Sequence, residues 1–189
     1  IWRAPTDNDR YLRAEWEAAG YDRSIIKVRD VSVEHSARKV EITCRLMITA
    51  VSVQRILDID AKWFVDPEGE IGCRVVCRRD PQLPMLPRLG LRLFLPETLE
   101  NVEYYGYGPY ESYVDKHQAS WLDTFYDNVE RMHEDYIMPQ ENGSHWNCEY
   151  VKLTDRNGDG ILAFASFPFS FNVSRYTQEE LTCKAHNYE

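Results

Sequence analysis

The sequence predicts an all-β fold, a sandwich of two large antiparallel sheets with one or two short helices. Three observations lead to this prediction. Consecutive segments of eight to ten residues alternate apolar and polar side chains, turn-forming residues separate these segments, and a helical period occurs in only one or two short stretches. Strands that follow one another with short connections pair in antiparallel fashion and stack as two sheets.

The length of 189 residues suits one domain, or part of a larger protein. The chain begins at Ile1 rather than Met and stops soon after the polar start of a helix, and no closing strand follows. We therefore expect a single β-sandwich domain over residues 1–189 that is truncated at both ends.

The composition is that of a globular protein with an acidic balance. Hydrophobic residues make up 43% of the chain and charged residues 28%, and the net charge is −9 from 22 basic and 31 acidic residues. There is no stripe of Lys and Arg, so nucleic acid is not expected as a partner. No apolar run reaches the roughly eighteen residues of a membrane span. The odd number of cysteines and the lack of a visible signal peptide indicate a reducing, cytoplasmic compartment.

The N-terminal stretch predicts a short helix. Asp7, Asn8 or Asp9 is suited to cap a helix over residues 11–19, and Gly20 is suited to end it. The density of polar side chains in this stretch, which can bond the backbone, is typical of a shaped loop rather than of a linker.

The first strands are predicted from alternation. Residues 24–34 are rich in Ile and Val, and their phase shifts at Asp30, which predicts a β-bulge. Residues 40–49 alternate strictly. Two further strands, 57–65 and 71–77, flank a turn that contains Pro and Gly, and this pattern predicts a hairpin.

The two cysteines Cys73 and Cys77 fall on one face of the second hairpin strand. No Cys or His at zinc spacing accompanies them, so they are interpreted as small core residues.

The second half predicts further strands around a long loop. Leu89 and Leu95 bound a predicted strand in which every second residue is Leu. Residues 113–145 are polar and irregular, with weak strand signals near Trp121 and Tyr136. Strands are predicted on both sides of an Asn-Gly turn, and a capping box at residues 177–180 predicts a short helix.

Acidic side chains that would suit a glycosidase are numerous, but no spacing singles out a pair. Such an enzyme needs two carboxyl groups flanking the scissile bond, one of them kept protonated by an apolar pocket. The acidic candidates are Asp7, Asp9, Glu111, Asp115, Glu134, Asp135 and Glu141. Asp155–Gly160 is similar to the start of a calcium loop, but Ser166 stands where the bidentate glutamate belongs, so a hairpin turn is predicted there. We therefore assign no catalytic residue and no metal ligand.

Six short blocks carry a resemblance to a known family and follow one another in that family's order. The blocks are Trp2–Asp9, Trp16–Gly20, Leu86–Gly90, Tyr107–Lys116, Pro139–Gly143 and Phe171–Tyr176. Together they resemble the C-terminal, small-chain domain of bacterial β-galactosidases of glycoside hydrolase family two. Pro139–Gly143, for example, resembles the family's Pro-x-Glu-Asn-Gly signature.

The resemblance implies a supersandwich, the twisted two-sheet fold shared with galactose mutarotases. It implies a parent enzyme that hydrolyses terminal β-D-galactosides such as lactose with retention. Both catalytic glutamates and the magnesium and sodium sites of that enzyme lie on a separate barrel that is absent from residues 1–189. The chain is then a non-catalytic domain without a cofactor of its own. It contacts the barrel and other domains, walls the pocket for the β-galactoside substrate and supports a homo-oligomer.

The resemblance also implies two groups of site residues. Asp7, Asn8, Asp9 and Arg10 match the family's run and loop that border the substrate pocket. Four residues of the later blocks are candidates for a sugar-facing or interface role, and these are Tyr107, Glu111, Glu141 and Asn142.

Two other functions remain open on the residues alone. A free-standing carbohydrate-binding module would use the tyrosines of residues 104–113 as a stacking surface, although core and interface packing is the favoured interpretation of these tyrosines. A mutarotase-like sugar epimerase would need an acid and a base on either side of a sugar C1, and fold alone does not confer that activity.

Overall fold

A computed structural model of the chain describes residues 1–51, 53 and 55–189. These residues form eight β-strands and two short α-helices, and the strands make two four-stranded antiparallel sheets, which confirms the predicted all-β class. The chain divides into two compact units. The first comprises Ile1–Trp2 and Asp7–Leu89, and the second Arg3–Thr6 and Gly90–Glu189. The single domain over residues 1–189 stays a prediction.

The first unit contains a four-stranded meander in which each strand pairs with the next in sequence. The strands are β1 (Ile25–His35), β2 (Val40–Thr49), β3 (Leu57–Val65) and β4 (Ile71–Arg79), in the sheet order β1-β2-β3-β4. The predicted hairpin of β3 and β4 is confirmed, with Val65 opposite Ile71. The predicted bulge in β1 is confirmed by a register shift between Val28 and Asp30.

The bulge explains why the apolar residues of β1 change phase. Ile26 and Val28 lie opposite Ile48 and Leu46 of β2, and beyond the extra residue Val31 lies opposite Cys44. Because these β2 residues are two apart, the apolar side chains of β1 stay on one face of the sheet despite the shift.

Helix α1 (Leu12–Ala18) packs its Trp16 into the core of the first unit. Trp16 is buried and lies edge-on to Trp2, with ring centroids 6.4 Å apart. Gly20 ends the helix as predicted, since its φ of +75° is left-handed and an added Cβ would lie 2.5 Å from Ala50 Cβ.

The predicted cap of this helix is wrong. Asp7, Asn8 and Asp9 form a separate 3-10 turn, and Tyr11 occupies the N-cap position without a side-chain hydrogen bond to the helix. The N-cap position thus falls on Tyr11 and on none of the three polar residues, and the burial of Trp16 attaches α1 to the core.

The second unit contains β5 (Asn101–Gly108), β6 (Trp121–Asn128), β7 (Ser144–Thr154) and β8 (Gly160–Asn172), in the order β6-β5-β7-β8. One face of this sheet forms a core, whose buried residues are Val102, Tyr104, Val129, Met132, Cys148, Val151, Leu153 and Phe171. The hairpin turn between β7 and β8 is confirmed, because Asp155 Oδ1 accepts hydrogen bonds from Asn157 N and Asp159 N. Helix α2 (Gln178–Cys183) has the predicted capping box between Thr177 and Glu180.

The predicted strand between Leu89 and Leu95 is wrong, because no described strand pairs with that segment. Leu91 and Leu93 are 62% and 61% exposed. Alternation of apolar and polar residues gives a segment one apolar face. A strand also needs a neighbouring strand with which its backbone forms hydrogen bonds, and the pattern does not provide one. The signal near Trp121 is borne out by β6, whereas Tyr136 lies outside any strand.

The cysteines of the chain are not joined by disulfide bonds. All five cysteines are free. Cys77 packs against the core of the first unit as predicted, whereas Cys73 is exposed, so the core interpretation is wrong for Cys73.

In the described part of the chain, neither helix has the length and apolar character needed to cross a bilayer.

Candidate functional site

The candidate site lies in the second unit and is centred on Glu111, which follows the end of β5. The residue is 9% exposed, and its carboxylate accepts hydrogen bonds from three donors. Gly143 N donates to Oε2 at 2.9 Å, while Lys116 Nζ and Tyr136 Oη both donate to Oε1. The carboxylate therefore joins its own loop to two segments that lie 25 and 32 residues further along the chain.

The electrostatics of this cluster keep Glu111 ionised at neutral pH. Burial alone raises the pKa of the carboxyl group, but the hydrogen bonds from Lys116, Tyr136 and Gly143 outweigh burial, so the pKa is lowered. The carboxylate in turn raises the pKa of Lys116 against the opposing effect of burial. Glu111 is thus an anionic acceptor and is not available as a proton donor at neutral pH.

Asn142 fixes the segment that supplies Gly143 to this cluster. Its Oδ1 accepts from Glu134 N at 3.0 Å, and its Nδ2 donates to Gln140 O at 2.9 Å. Its backbone carbonyl accepts from Asn172 Nδ2 at the end of β8. All the polar groups of the Asn142 side chain are used within the protein, so the segment is held from several sides.

Glu141 is tied to the N-terminal residues of the same unit. Its N–H donates to Ala4 O at 3.1 Å, and Ala4 N donates to Gln178 Oε1 of α2 at 2.7 Å. The Glu141 side chain is buried, with the residue 3% exposed. The segment from Gln140 to Gly143 is therefore anchored to the start of the chain, which in turn is bonded to the last helix.

Tyr107 belongs to a half-buried aromatic group, together with His117 and Trp146, which we call the aromatic edge. The Tyr107 ring centroid lies 5.1 Å from that of Trp146 and 5.4 Å from that of His117, and the last two are 4.3 Å apart. Ser112 Oγ donates to Tyr107 O at 3.0 Å and accepts from Trp146 N at 2.9 Å. The edge therefore rests on the same loop as Glu111.

His145 supports this edge from the buried side. Its Nδ1 lies 3.1 Å from Tyr107 O, and burial lowers the pKa of the imidazole despite that hydrogen bond. The ring is therefore neutral with its proton on Nδ1, and it packs against Tyr104 and Phe171 in the core.

The four residues expected to border a pocket lie in the first unit. Asp7 and Asn8 are exposed, whereas Asp9 is 5% exposed. The Arg10 guanidinium lies over the Tyr11 ring, 4.7 Å from its centroid, and donates to the Tyr11 hydroxyl at 3.0 Å. This N-terminal stretch presents an exposed charge beside an aromatic ring, and its place at a substrate pocket stays a prediction.

The structure brings Glu111, Asn142 and Tyr107 into one network and adds partners that the sequence did not single out. Lys116 stands in the same sequence block as Glu111, five residues further along. This spacing of an acid and a base is the sequence signal that could have identified the pair. Tyr136 carried no such signal. Of the other acidic candidates, Asp115, Glu134 and Asp135 are exposed. Among the described residues, no group of three or more His, Cys, Asp or Glu is placed to hold a metal ion.

Comparisons with a family model and with known proteins agree on one family. A family model described as "Beta galactosidase small chain" matches residues 1–189. The chain is 44% identical over 189 residues to a beta-galactosidase of Actinobacillus pleuropneumoniae, covering all of this chain and 18% of that protein. It is 35% identical over 186 residues to a beta-galactosidase of Staphylococcus xylosus, covering 98% of this chain and 19% of that protein. The chain thus spans about a fifth of the length of these curated relatives.

Proposed function

The chain belongs to the β-galactosidase small-chain family, and on that premise we propose that it is the non-catalytic C-terminal part of a retaining β-galactosidase. The parent enzyme hydrolyses terminal β-D-galactosides such as lactose in the cytoplasm. The chain walls the galactose pocket and supports assembly of a homo-oligomer. The observation that carries the proposal is the 44% identity over the whole chain to a beta-galactosidase of which the matched part makes up 18%.

The chemistry of the buried carboxylates supports a non-catalytic role. Retaining hydrolysis needs two carboxyl groups about 5–5.5 Å apart, one of which stays protonated at the working pH. The pKa of Glu111 is shifted downward instead, and its oxygens are occupied by three donors. In this proposal the catalytic glutamates lie on the barrel of the parent enzyme, as the resemblance implies. The magnesium and sodium sites that the resemblance implies are proposed to lie on that barrel as well.

The role of the Glu111 network in this proposal is to hold loops at the pocket wall. Glu111 and Asn142 fix the residues around the aromatic edge, whose rings are only half buried. An aromatic ring presents a broad apolar face that suits the C–H face of a galactose ring. The network thus provides a rigid support for a sugar-facing surface in the second unit. For the first unit, considered by itself, Asp9 and Arg10 are the charged residues proposed to border the substrate.

The test measures hydrolysis of a chromogenic β-galactoside by the parent enzyme and by residues 1–189 alone. We expect turnover by the parent and none by the isolated chain. In the parent, Arg10→Ala should raise KM about tenfold and leave kcat within about twofold, because a lost charge-assisted hydrogen bond to the substrate costs about 1.5 kcal/mol. Arg13→Ala is the matched control, since Arg13 pairs with Glu17 on an exposed helix face. Turnover by the isolated chain would overturn the proposal.

A carbohydrate-binding role without pocket contact is the second candidate. It is favoured by the half-buried rings of the aromatic edge, which include one tryptophan as an optical probe. Under this alternative, lactose would quench or enhance the fluorescence of Trp146 even when a tight inhibitor occupies the catalytic pocket of the parent. Loss of the lactose signal in the inhibited enzyme would favour the pocket-wall role instead.

A further inference from the structure

The two faces of the second sheet differ sharply. One face carries the core, whereas the other, which we call the outer face, carries large exposed side chains. Register places Tyr105, Tyr150 and Phe164 in one row across β5, β7 and β8. Tyr126 and Leu162 lie in the neighbouring row, with Glu103 and Lys152 between them. The exposed fractions of Tyr126, Leu162 and Phe164 are 72%, 57% and 67%.

The edge strand β8 forms a groove on this outer face. Cys148 pairs with Phe169 and Tyr150 pairs with Phe164, so residues 165–168 all stand opposite one residue of β7, Glu149. This large bulge raises Phe167, which is 73% exposed, beside the sheet. The groove between the bulge and the sheet has a volume of about 660 Å³.

The lining of the groove combines an apolar floor with a polar border. Tyr150, Leu162, Phe164 and Phe167 supply the apolar part, and Glu103, Glu149 and Lys152 the charged part. The Tyr150 hydroxyl donates to Glu103 at 2.9 Å, which holds the end of the ring in place. Contiguous exposed apolar side chains of this kind mark a surface that another molecule or domain covers.

The bulge decides how a partner docks. A regular edge strand can accept a further strand through its backbone, but a bulge interrupts the ladder and turns the edge away. A partner at residues 165–168 must therefore insert side chains into the groove rather than extend the sheet. The two acidic groups at the border against one lysine favour a partner that carries basic side chains around an apolar centre.

We propose that the outer face is the docking surface for a segment of the parent polypeptide outside residues 1–189, with an apolar centre and flanking Lys or Arg. The inference rests on the proposed function, because about four-fifths of each matched relative lies outside the part that this chain matches. Domain interfaces within one polypeptide are formed by such partly polar patches. The proposal extends the pocket-wall role, since it gives the chain a fixed attachment to the rest of the enzyme.

Acetylation of lysines in the native parent enzyme, read by peptide mass spectrometry, tests the covering of this face. Lys152 is 46% exposed and pairs with Glu103, and the control Lys39 is 51% exposed and pairs with Glu41. We expect Lys152 to react at least about tenfold more slowly than Lys39 in the native enzyme and equally fast after denaturation. Equal rates in the native enzyme would overturn the proposal.

Carbodiimide coupling identifies the occupant. Glu149 is exposed at the groove border, and we expect it to couple to a lysine from outside residues 1–189. Coupling to a lysine of a second copy of this chain would overturn the assignment in favour of a self-interface. Phe164→Asp should accelerate thermal inactivation of the parent at least about fivefold, while Ile137→Asp, at a 78% exposed residue outside any strand, should not.

Hydrolysis of a chromogenic β-galactoside is measured on the same preparation. If the protein lacks that activity but shows the protection and the coupling, the proposed function fails and the docking surface stands. If the activity is present and Lys152 reacts like Lys39, the docking surface fails and the proposed function stands.

Discussion

Glu111 shows how one buried residue can organise loops that are far apart in sequence. Its carboxylate accepts from Gly143 N, Lys116 and Tyr136, and its pKa is lowered because these donors outweigh burial. A buried carboxylate with this many donors is held in one orientation, and so are its donors. The residue therefore acts on the site through geometry, by fixing the segments around the aromatic edge.

Glu111→Gln should lower the free energy of unfolding of the chain by about 2–3 kcal/mol. The amide retains one acceptor oxygen, but its NH₂ group then faces a donor that the carboxylate had satisfied. Lys116 is 59% exposed and can turn to water, which limits the loss. Urea unfolding measures the effect. Glu179→Gln, in the exposed pair with Arg92, is the control and should cost less than about 1 kcal/mol. An equal loss in both variants would contradict the role of Glu111.

The contributions of Glu111 and His145 to the stability of the folded chain should be lost in different pH ranges. The lowered pKa of Glu111 means that the unfolded chain binds more protons below its ordinary value of 4.5. The stability that Glu111 contributes is thus complete above about pH 5.5 and lost as the pH falls through 4.5 and lower. His145 also has a lowered pKa, so its contribution is complete above about pH 7.5 and is lost as the pH falls through 6.5 and lower.

Urea unfolding at several pH values separates these two groups. The gap in unfolding free energy between wild type and Glu111→Gln should stay constant from about pH 6 to 8 and narrow between about pH 5 and 3. The gap between wild type and His145→Gln should narrow already between about pH 7 and 5. Gaps that do not change with pH would show that neither group titrates differently in the folded chain.

The sequence located part of this network and missed the rest for a physical reason. Glu111, Glu141 and Asn142 stood in recognisable blocks, so they were named from the sequence. Tyr136 lies in an irregular segment, and its contact with Glu111 exists only because two loops meet. Hydrogen bonds between segments 25–32 residues apart depend on tertiary structure, which local pattern does not encode.

At the scale of elements, alternation predicted those strands that have a partner next to them in sequence. The bulge in β1 and the hairpin of β3 and β4 followed from phase and turn chemistry, because both are local properties. The segment between Leu89 and Leu95 alternates equally well and forms no strand, since pairing requires a second strand. The cap of α1 failed because the polar residues upstream form their own 3-10 turn.

Gly143 is the backbone position on which the candidate site depends most directly. Its φ is +67°, and an added Cβ would lie 2.2 Å from Met132 O, a backbone atom that cannot move aside. Gly143→Ala should therefore lower the free energy of unfolding by about 3 kcal/mol or more. Gly158→Ala is the matched control, with a φ of +88° and no atom within 4 Å of the added Cβ. It should cost only the left-handed strain of about 1 kcal/mol. Equal losses in urea unfolding would contradict the tight approach to Met132.

At the scale of the whole molecule, six short blocks identified the family, and the match over residues 1–189 confirms it. Composition and charge could exclude classes of partner but could not single out a glycosidase. What the sequence could not supply is the arrangement of the two units within a larger enzyme, because the chain accounts for about a fifth of its relatives. The outer face of the second sheet is the surface that we propose to be covered by the rest of that enzyme.

A chimera tests the chain as one exchangeable part. Residues 1–189 replace the matched 18% of the beta-galactosidase of Actinobacillus pleuropneumoniae, to which they are 44% identical. We expect the chimera to hydrolyse a chromogenic β-galactoside with kcat within about tenfold of the natural enzyme, because the proposed function puts the groups that react with substrate outside the exchanged part. KM should change more than kcat if the exchanged part contributes to the pocket wall as proposed.

The same chimera with Phe164→Asp is the informative comparison. A charge placed on the outer face leaves the catalytic groups untouched but opposes docking, so the chimera should lose activity on heating while its initial kcat is retained. A folded chimera without activity would contradict a non-catalytic role for the exchanged part, because every catalytic group of the recipient enzyme would still be present. If the chimera is active and Phe164→Asp does not lower its heat resistance, the proposed function is supported and the proposed docking of the outer face is contradicted.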